Sequence, residues 1–218
     1  MQENSSKIIL DLCGGTGAWS RPYQEAGYDV RVITLPKYDV TQGVLTDQGI
    51  IFKRADNPDL REFTIPYADI YGILAAPPCT EFSIAKGARE RDFDGAMAVV
   101  RACLNIIWRC RLEGNLKFWA LENPVGFLRQ FIGIPAYQFE QWQFGAEHIK
   151  PTDLWGYFKA PSPTVKIRPA NLSIKVKGSS SNGRLWAKPV CPPEFSHLNL
   201  NRTAIRAITP AGFAQAFF

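Results

Sequence analysis

The sequence predicts a three-layer α/β domain with a mostly parallel sheet, on three observations. Four short apolar stretches, Lys7–Leu12, Tyr28–Thr34, Asp69–Ala76 and Lys117–Leu121, have the length and character of strands. Helical patterns separate them, from about Ser20 to Ala26 and from Gly95 to Leu112. Three of the strands run into turns built from glycine or proline, which end sheet pairing and leave polar side chains at a carboxyl edge. Open α/β sheets place their ligands at that edge.

A chain of 218 residues, 46% of them apolar, can bury one sizeable core, so a single domain over 1–218 is expected. Residues 160–200 read as a basic, loop-rich segment of it. The balance of 25 basic against 20 acidic residues gives a net charge of +5, which favours an anionic partner. Five cysteines without a Cys-x-x-Cys pair fit reduced thiols in the cytoplasm better than a disulfide framework, and no metal site is expected. Met1 to Lys7 is polar and no apolar run approaches the ~18 residues that cross a bilayer, so neither a signal peptide nor a membrane partner is expected.

In chain order, the first strand enters Asp11-Leu12-Cys13-Gly14-Gly15-Thr16-Gly17-Ala18-Trp19-Ser20. Three glycines in four residues let a ligand approach the backbone, and strand, turn and helix together open a nucleotide-binding βα unit. The spacing is Gly-Gly-x-Gly, which does not point to a pyrophosphate. The second strand ends at Thr34, where adenosine sites often carry an acid; the nearest acid is Asp39. The third strand ends in Pro77-Pro78-Cys79-Thr80-Glu81-Phe82-Ser83, placing Cys79 on a stiff turn, either as a nucleophile or as a small buried hydrophobe. Arg89 and Arg91 fall in a charged loop that faces either phosphates or solvent.

The helix that follows repeats Met97, Val100, Leu104, Ile107, Trp108 and Leu112 on one face, predicted to be buried, with Cys103 and Cys110 as packing residues. The fourth strand ends in Glu122-Asn123-Pro124. If it neighbours the strand before Cys79, thiol and carboxylate share one crevice. Gln143–Lys150 is a mixed polar stretch, and only the family resemblance given below implies a strand there and a role for Lys150 as a cation. His148 reads as structural. Lys175, Lys177 and Arg184 surround a Gly/Ser stretch suited to following phosphates. Cys191 to His197 reads as a structural turn. A threonine cap, Thr209, followed by Pro210 starts a final helix over Ala211–Phe218 that packs back on the core.

The glycine block, the Pro-Cys turn with Phe82-Ser83 behind it, and Glu122-Asn123-Pro124 resemble three blocks of the cytosine carbon-5 DNA methyltransferases, in their order and approximate spacing. The resemblance covers residues 7 to about 130. It implies a Rossmann-like S-adenosylmethionine-dependent methyltransferase fold, with Cys79 as nucleophile on carbon 6 of a flipped cytosine and Glu122 at ring nitrogen 3. Lys150 would face the base carbonyl. Asp11, Leu12, Cys13, Gly14, Gly15, Gly17, Trp19, Thr34, Asp39 and Pro77 would hold S-adenosyl-L-methionine, and Ser83, Arg89, Arg91, Lys175, Lys177 and Arg184 would contact DNA. The family's target-recognition domain has no counterpart of ordinary size, which implies relaxed sequence preference or a partner protein. A monomer in the cytoplasm of a bacterium or a virus-infected host cell is expected. An RNA acceptor, a modified alkyl donor and a non-catalytic nucleic-acid-binding module are the alternatives.

Overall fold

The computed structural model describes residues 4–57, 59–60, 62–170 and 190–218, so Lys175, Lys177 and Arg184 lie outside the described residues. The central sheet contains β1 (Ile8–Leu12), β2 (Asp29–Ile33), β6 (Ile70–Ala75), β7 (Phe118–Pro124), β8 (Tyr137–Glu140) and β9 (Pro151–Tyr157), in the order β2-β1-β6-β7-β9-β8. Strands β2, β1, β6 and β7 run parallel, while β9 is antiparallel to both of its neighbours. The result is an α/β fold with a mostly parallel six-stranded sheet, compatible with a Rossmann-like architecture.

Side-chain alternation makes the three layers. Leu10, Leu12, Ile73, Ala75 and Leu121 face one core, and Ile9, Leu74, Ala120 and Leu154 face the other. Each of these residues is fully buried, and each larger aliphatic side chain stabilises the fold by about 2 kcal/mol. On the first face lies α2 (Phe93–Glu113), started by Asp92, whose carboxylate accepts the Gly95 N–H at 2.8 Å. On the second face α1 (Arg21–Glu25) and α5 (Ala211–Phe217) pack together, with the Phe213 ring stacked on Phe139 at 4.3 Å.

The buried stripe of α2 differs from the expected one. Val100, Cys103, Ile106, Ile107 and Cys110 are buried, whereas Trp108 and Leu112 are 61% and 59% exposed. The two cysteines, small enough to sit close to the sheet, set the helix rotation, and that turns Trp108 outward. A three-stranded antiparallel sheet of β3 (Val44–Leu45), β4 (Gly49–Phe52) and β5 (Phe63–Pro66) was not expected; its Ile50, Phe52 and Ile65 extend the α2 core. Near the end of the chain, α3 (Leu128–Ile132) having intervened after β7, a further helix α4 (Arg202–Ala207) is capped by Asn201. The N-cap of α5 is Pro210, not the expected Thr209. Among the described residues no helix is long and apolar enough to cross a membrane.

Candidate active site

Parallel pairing of β6 with β7 aligns Ala75 with Leu121, so the segments that follow them leave the sheet at the same edge. Cys79 lies on the turn after β6 and Glu122 is the next residue along β7. Two loops are stitched together there. Asn123 Nδ2 donates to the Pro77 carbonyl at 3.0 Å, the Phe127 N–H donates to the Phe82 carbonyl at 2.8 Å, and Ser83 bridges Gly126. Gly126 is required at this seam, because a Cβ there would lie 2.3 Å from the Phe82 carbonyl oxygen. The Cys79 carbonyl accepts from both the Phe82 and Ser83 N–H groups, which folds the turn back under the thiol.

Lys150, directly before β9, reaches across to Glu122 with Nζ 3.8 Å from Oε1. Burial raises the Glu122 pKa above the ordinary carboxylate value; Lys150 opposes that shift and the buried Asp153 adds to it. Burial also raises the Cys79 thiol, against the lowering pull of Lys150, while Glu122 raises it further and Arg206 lowers it. The parallel register of β6 and β7 brings the turn that carries Cys79 to the same sheet edge as the Glu122–Lys150 pair. A tight cleft beside them is lined by Glu122, Gln141, Lys150, Thr152, Thr209 and Phe213.

Several cleft residues were not singled out from sequence. Gln141 and Thr152 are buried, and the Thr152 hydroxyl donates to the Lys150 carbonyl at 2.9 Å. Gln141 Oε1 lies 2.7 Å from His148 Nε2. Burial first, then Lys150 and Arg206, lowers the His148 pKa, which favours the neutral ring. The expected strand at Gln143–Lys150 is a 3₁₀ turn over Gln141–Phe144 followed by a loop; the strand is β9, starting at Pro151. Alternation of Lys150 with Thr152 was the signal available.

The glycine turn sits at the end of β1, beside β6 on the same edge. Asp11 is fully buried beneath it: Oδ2 accepts from the Ser20 hydroxyl at 2.6 Å and Oδ1 has no partner. A Cβ on Gly14 would lie 2.1 Å from that Oδ1, so only glycine fits over the carboxylate. Burial raises the Asp11 pKa to about 6, with the Ser20 bond opposing the shift. Gly15 adopts φ +57 with open space at its Cβ position, and its N–H donates to the Thr34 hydroxyl at 3.3 Å.

Other residues expected to contact ligands are used internally. Leu12 is fully buried, and Trp19 is a core residue at 2% exposure, packed against Phe213 and Phe217. Asp39 accepts from the N–H and hydroxyl of Thr41, capping its own turn. Cys13 packs against the core that holds Cys103, and its thiol helps to push the Cys103 pKa up. The buried Pro77 gives its carbonyl to Asn123. Ser83 caps the turn over Ile84–Lys86. Arg91 donates to the carbonyls of Glu81, Ser83 and Gly87 and lies over the Phe127 ring, so it folds its loop instead of reaching outward to phosphate. Arg89 is exposed, with Nε donating to the Lys86 carbonyl at 3.1 Å. No family model matches the chain, and a search of curated proteins returns no significant match.

Proposed function

We propose that the chain transfers a methyl group from S-adenosylmethionine to carbon 5 of cytosine in DNA through a covalent adduct on Cys79. The observation that carries this reading is that β6 and β7 are parallel neighbours, so Cys79 on the turn after β6 and the Glu122–Lys150 pair lie at one edge of the sheet, one strand from the glycine turn. A thiol beside a carboxyl without an imidazole base suits addition to an activated ring better than hydrolysis.

The Cys79 sulfur, after losing its proton, forms a bond to carbon 6 of the extruded base, and the ring electrons shift toward nitrogen 3. Glu122, protonated more readily than an ordinary carboxyl, donates its proton to that nitrogen, while the Lys150 ammonium faces the base carbonyl oxygen. Bound S-adenosylmethionine would supply an electrophilic methyl group, whose bond to the sulfonium sulfur breaks, leaving its electron pair on sulfur, as carbon 5 forms its bond to the methyl carbon. Loss of the carbon-5 proton to solvent water then breaks the bond between carbon 6 and the Cys79 sulfur, nitrogen 3 returns its proton to Glu122, and aromaticity is restored.

The glycine turn fits the cofactor in one specific respect. Asp11 Oδ1 is a buried acceptor without a partner beneath Gly14, where no side chain fits, and the cofactor's ammonium group is a matching donor. Asp11, Gly14, Gly15, Gly17 and Thr34 are the residues that would hold it.

The test is a duplex containing 5-fluorocytosine, incubated with protein and cofactor, with single-stranded DNA and tRNA as parallel arms. Fluorine at carbon 5 cannot leave as a proton, so the Cys79 adduct accumulates and migrates as a covalent complex on a denaturing gel. Cofactor binding without an adduct on any of the three acceptors overturns the reading.

A further inference from the structure

We propose that an aromatic groove on the flank of α2 is a second binding site, one that takes a single-stranded stretch of nucleic acid by stacking its bases on Trp108 and Tyr157. In-register pairing puts Trp119 of β7 directly opposite Tyr157 of β9, and such cross-strand partners point to the same face of a sheet. That face is the one α2 covers, since Trp119 packs against the core that holds Ile107 and Cys110. Trp155, two residues before Tyr157 on the same face, is buried, and its indole N–H donates to the Gly133 carbonyl at 2.9 Å. Tyr157 has no such cover. Between it and α2 lies a groove of about 490 Å³, a size typical of ligand sites, lined by Asn105, Trp108 and Arg111 from the helix and by Trp119 and Tyr157 from the strands. Glu122, further along β7, faces the opposite layer with Phe139 and Phe213, so the groove is separate from the Cys79–Glu122 edge and the inference does not rest on methyl transfer.

The rings of the groove are turned outward: Trp108 is 61% and Tyr157 67% exposed, so flat apolar surface meets solvent where a base can cover it. Its charge has one sign. From Gly95 to Leu112 the helix carries three arginines and no acid. Arg109 is bonded to the Thr46 carbonyl at 3.0 Å and pairs with Glu113 at 3.5 Å. The Arg111 guanidinium instead lies over the Tyr157 ring at 5.8 Å and has no carboxylate partner among the described residues. Arg101, one turn before Asn105, is exposed and likewise unmatched among the described residues. The Asn105 amide, exposed and without a hydrogen-bond partner among the described residues, offers both a donor and an acceptor to a base edge. A nucleic-acid strand brings a flat ring and an anion in every unit, and planar guanidiniums suit its phosphates. An acidic polypeptide would match the charges and leave the ring faces without flat partners. Arg101 and Arg111 stand ~15 Å apart along the helix axis, a length that a run of nucleotides spans and a lone nucleotide does not.

The experiment follows binding of a fluorescein-labelled oligothymidylate of about 12 nucleotides, within the span of single-strand sites, by anisotropy across a potassium chloride series. The probe contains no cytosine, so binding is read apart from any chemistry at Cys79. Trp108→Ala and Tyr157→Ala are each expected to weaken binding by about 5- to 150-fold, the range for losing one stacked base, while Trp108→Phe keeps most of the affinity. Arg111→Ala is expected to lower the slope of log K against log salt by about 0.7. Circular dichroism and melting profiles establish that each variant is folded. Quenching of indole fluorescence by the bound strand, larger in wild type than in Trp108→Phe, reads the same contact without a change in affinity. Thymidine monophosphate at matched nucleotide concentration should fail to displace the strand; displacement makes the groove a small-ligand site and overturns the inference. Poly-L-glutamate should bind weakly; tight binding of it that Trp108→Ala abolishes makes the groove a polypeptide site and overturns the inference too. So does a folded Trp108→Ala, Tyr157→Ala double variant with wild-type affinity, or a wild type that binds no oligothymidylate at low salt. The 5-fluorocytosine adduct is scored separately, so either site can fail without the other.

Discussion

Lys150 Nζ stands 3.8 Å from Glu122 Oε1, so the residue just before β9 sets a positive charge against the acid carried by its antiparallel neighbour β7. The pair acts on Cys79 with opposite signs: the ammonium favours the thiolate and the carboxylate opposes it. Lys150→Met therefore moves the pH midpoint of Cys79 alkylation by iodoacetamide upward, and Glu122→Gln moves it downward. Peptide mass spectrometry at Cys79 reads both shifts. Both variants should lose methyl transfer by about 100-fold or more, the scale of general acid–base contributions.

Replacing Cys79 by serine should abolish the covalent species on 5-fluorocytosine DNA. Cys103 is fully buried in the α2 core, and Cys103→Ser should leave the adduct yield close to wild type. Comparison of the two on one denaturing gel assigns the reactive sulfur.

Asp11 should make stability depend on pH in a direction opposite to that of a salt-bridged carboxylate. Its folded pKa is about 6 against 3.8 when free, so the native state holds the proton more tightly. The contribution is fully present below pH 3.8 and is lost as pH rises through about 6. Asp11→Asn, which keeps an acceptor for Ser20, should be more stable than wild type at pH 7.5 by up to about 3 kcal/mol, with the gain fading near pH 4. Urea titrations at the two pH values measure the difference. The same variant should bind S-adenosylmethionine more weakly.

Arg129 forms a two-pronged ion pair with the fully buried Asp153, both contacts at 2.6 Å. Removing the cation strands a charge inside the sheet. Arg129→Ala should cost on the order of 3 kcal/mol in urea unfolding, and combining it with Asp153→Asn should restore a large part of the loss.

The rotation of α2 separates two neighbours. Ile107 is 3% exposed and Trp108 61% exposed. Ile107→Ala should destabilise by about 2 to 5 kcal/mol, while Trp108→Ala should stay within about 0.5 kcal/mol. Thermal melts of both variants check the difference.

Much of the parallel half of the sheet was legible because glycine and proline act on their own backbone. The turns at Gly14-Gly15 and Pro77-Pro78 can be read wherever they occur, and the strands before them are short apolar runs. The reversed strand was not legible, because Thr152-Asp153 reads as polar loop until Arg129, 24 residues away, is seen to match the buried charge. Trp108 misled for a related reason. Its bulk dominates a helical wheel, but two cysteines with far less apolar surface face the sheet. The use of Arg91 was equally hidden, since it depends on how three carbonyls of its own loop are turned.

The seam joining Pro77 to Asn123, and Phe82 to Phe127, ties sulfur and acid into one mechanical unit. A nudge to either loop carries both groups along, so their separation survives motions that would misalign two independent hinges. Length changes in one loop alone are thereby forbidden, and any tolerated insertion must fall outside the stitched residues.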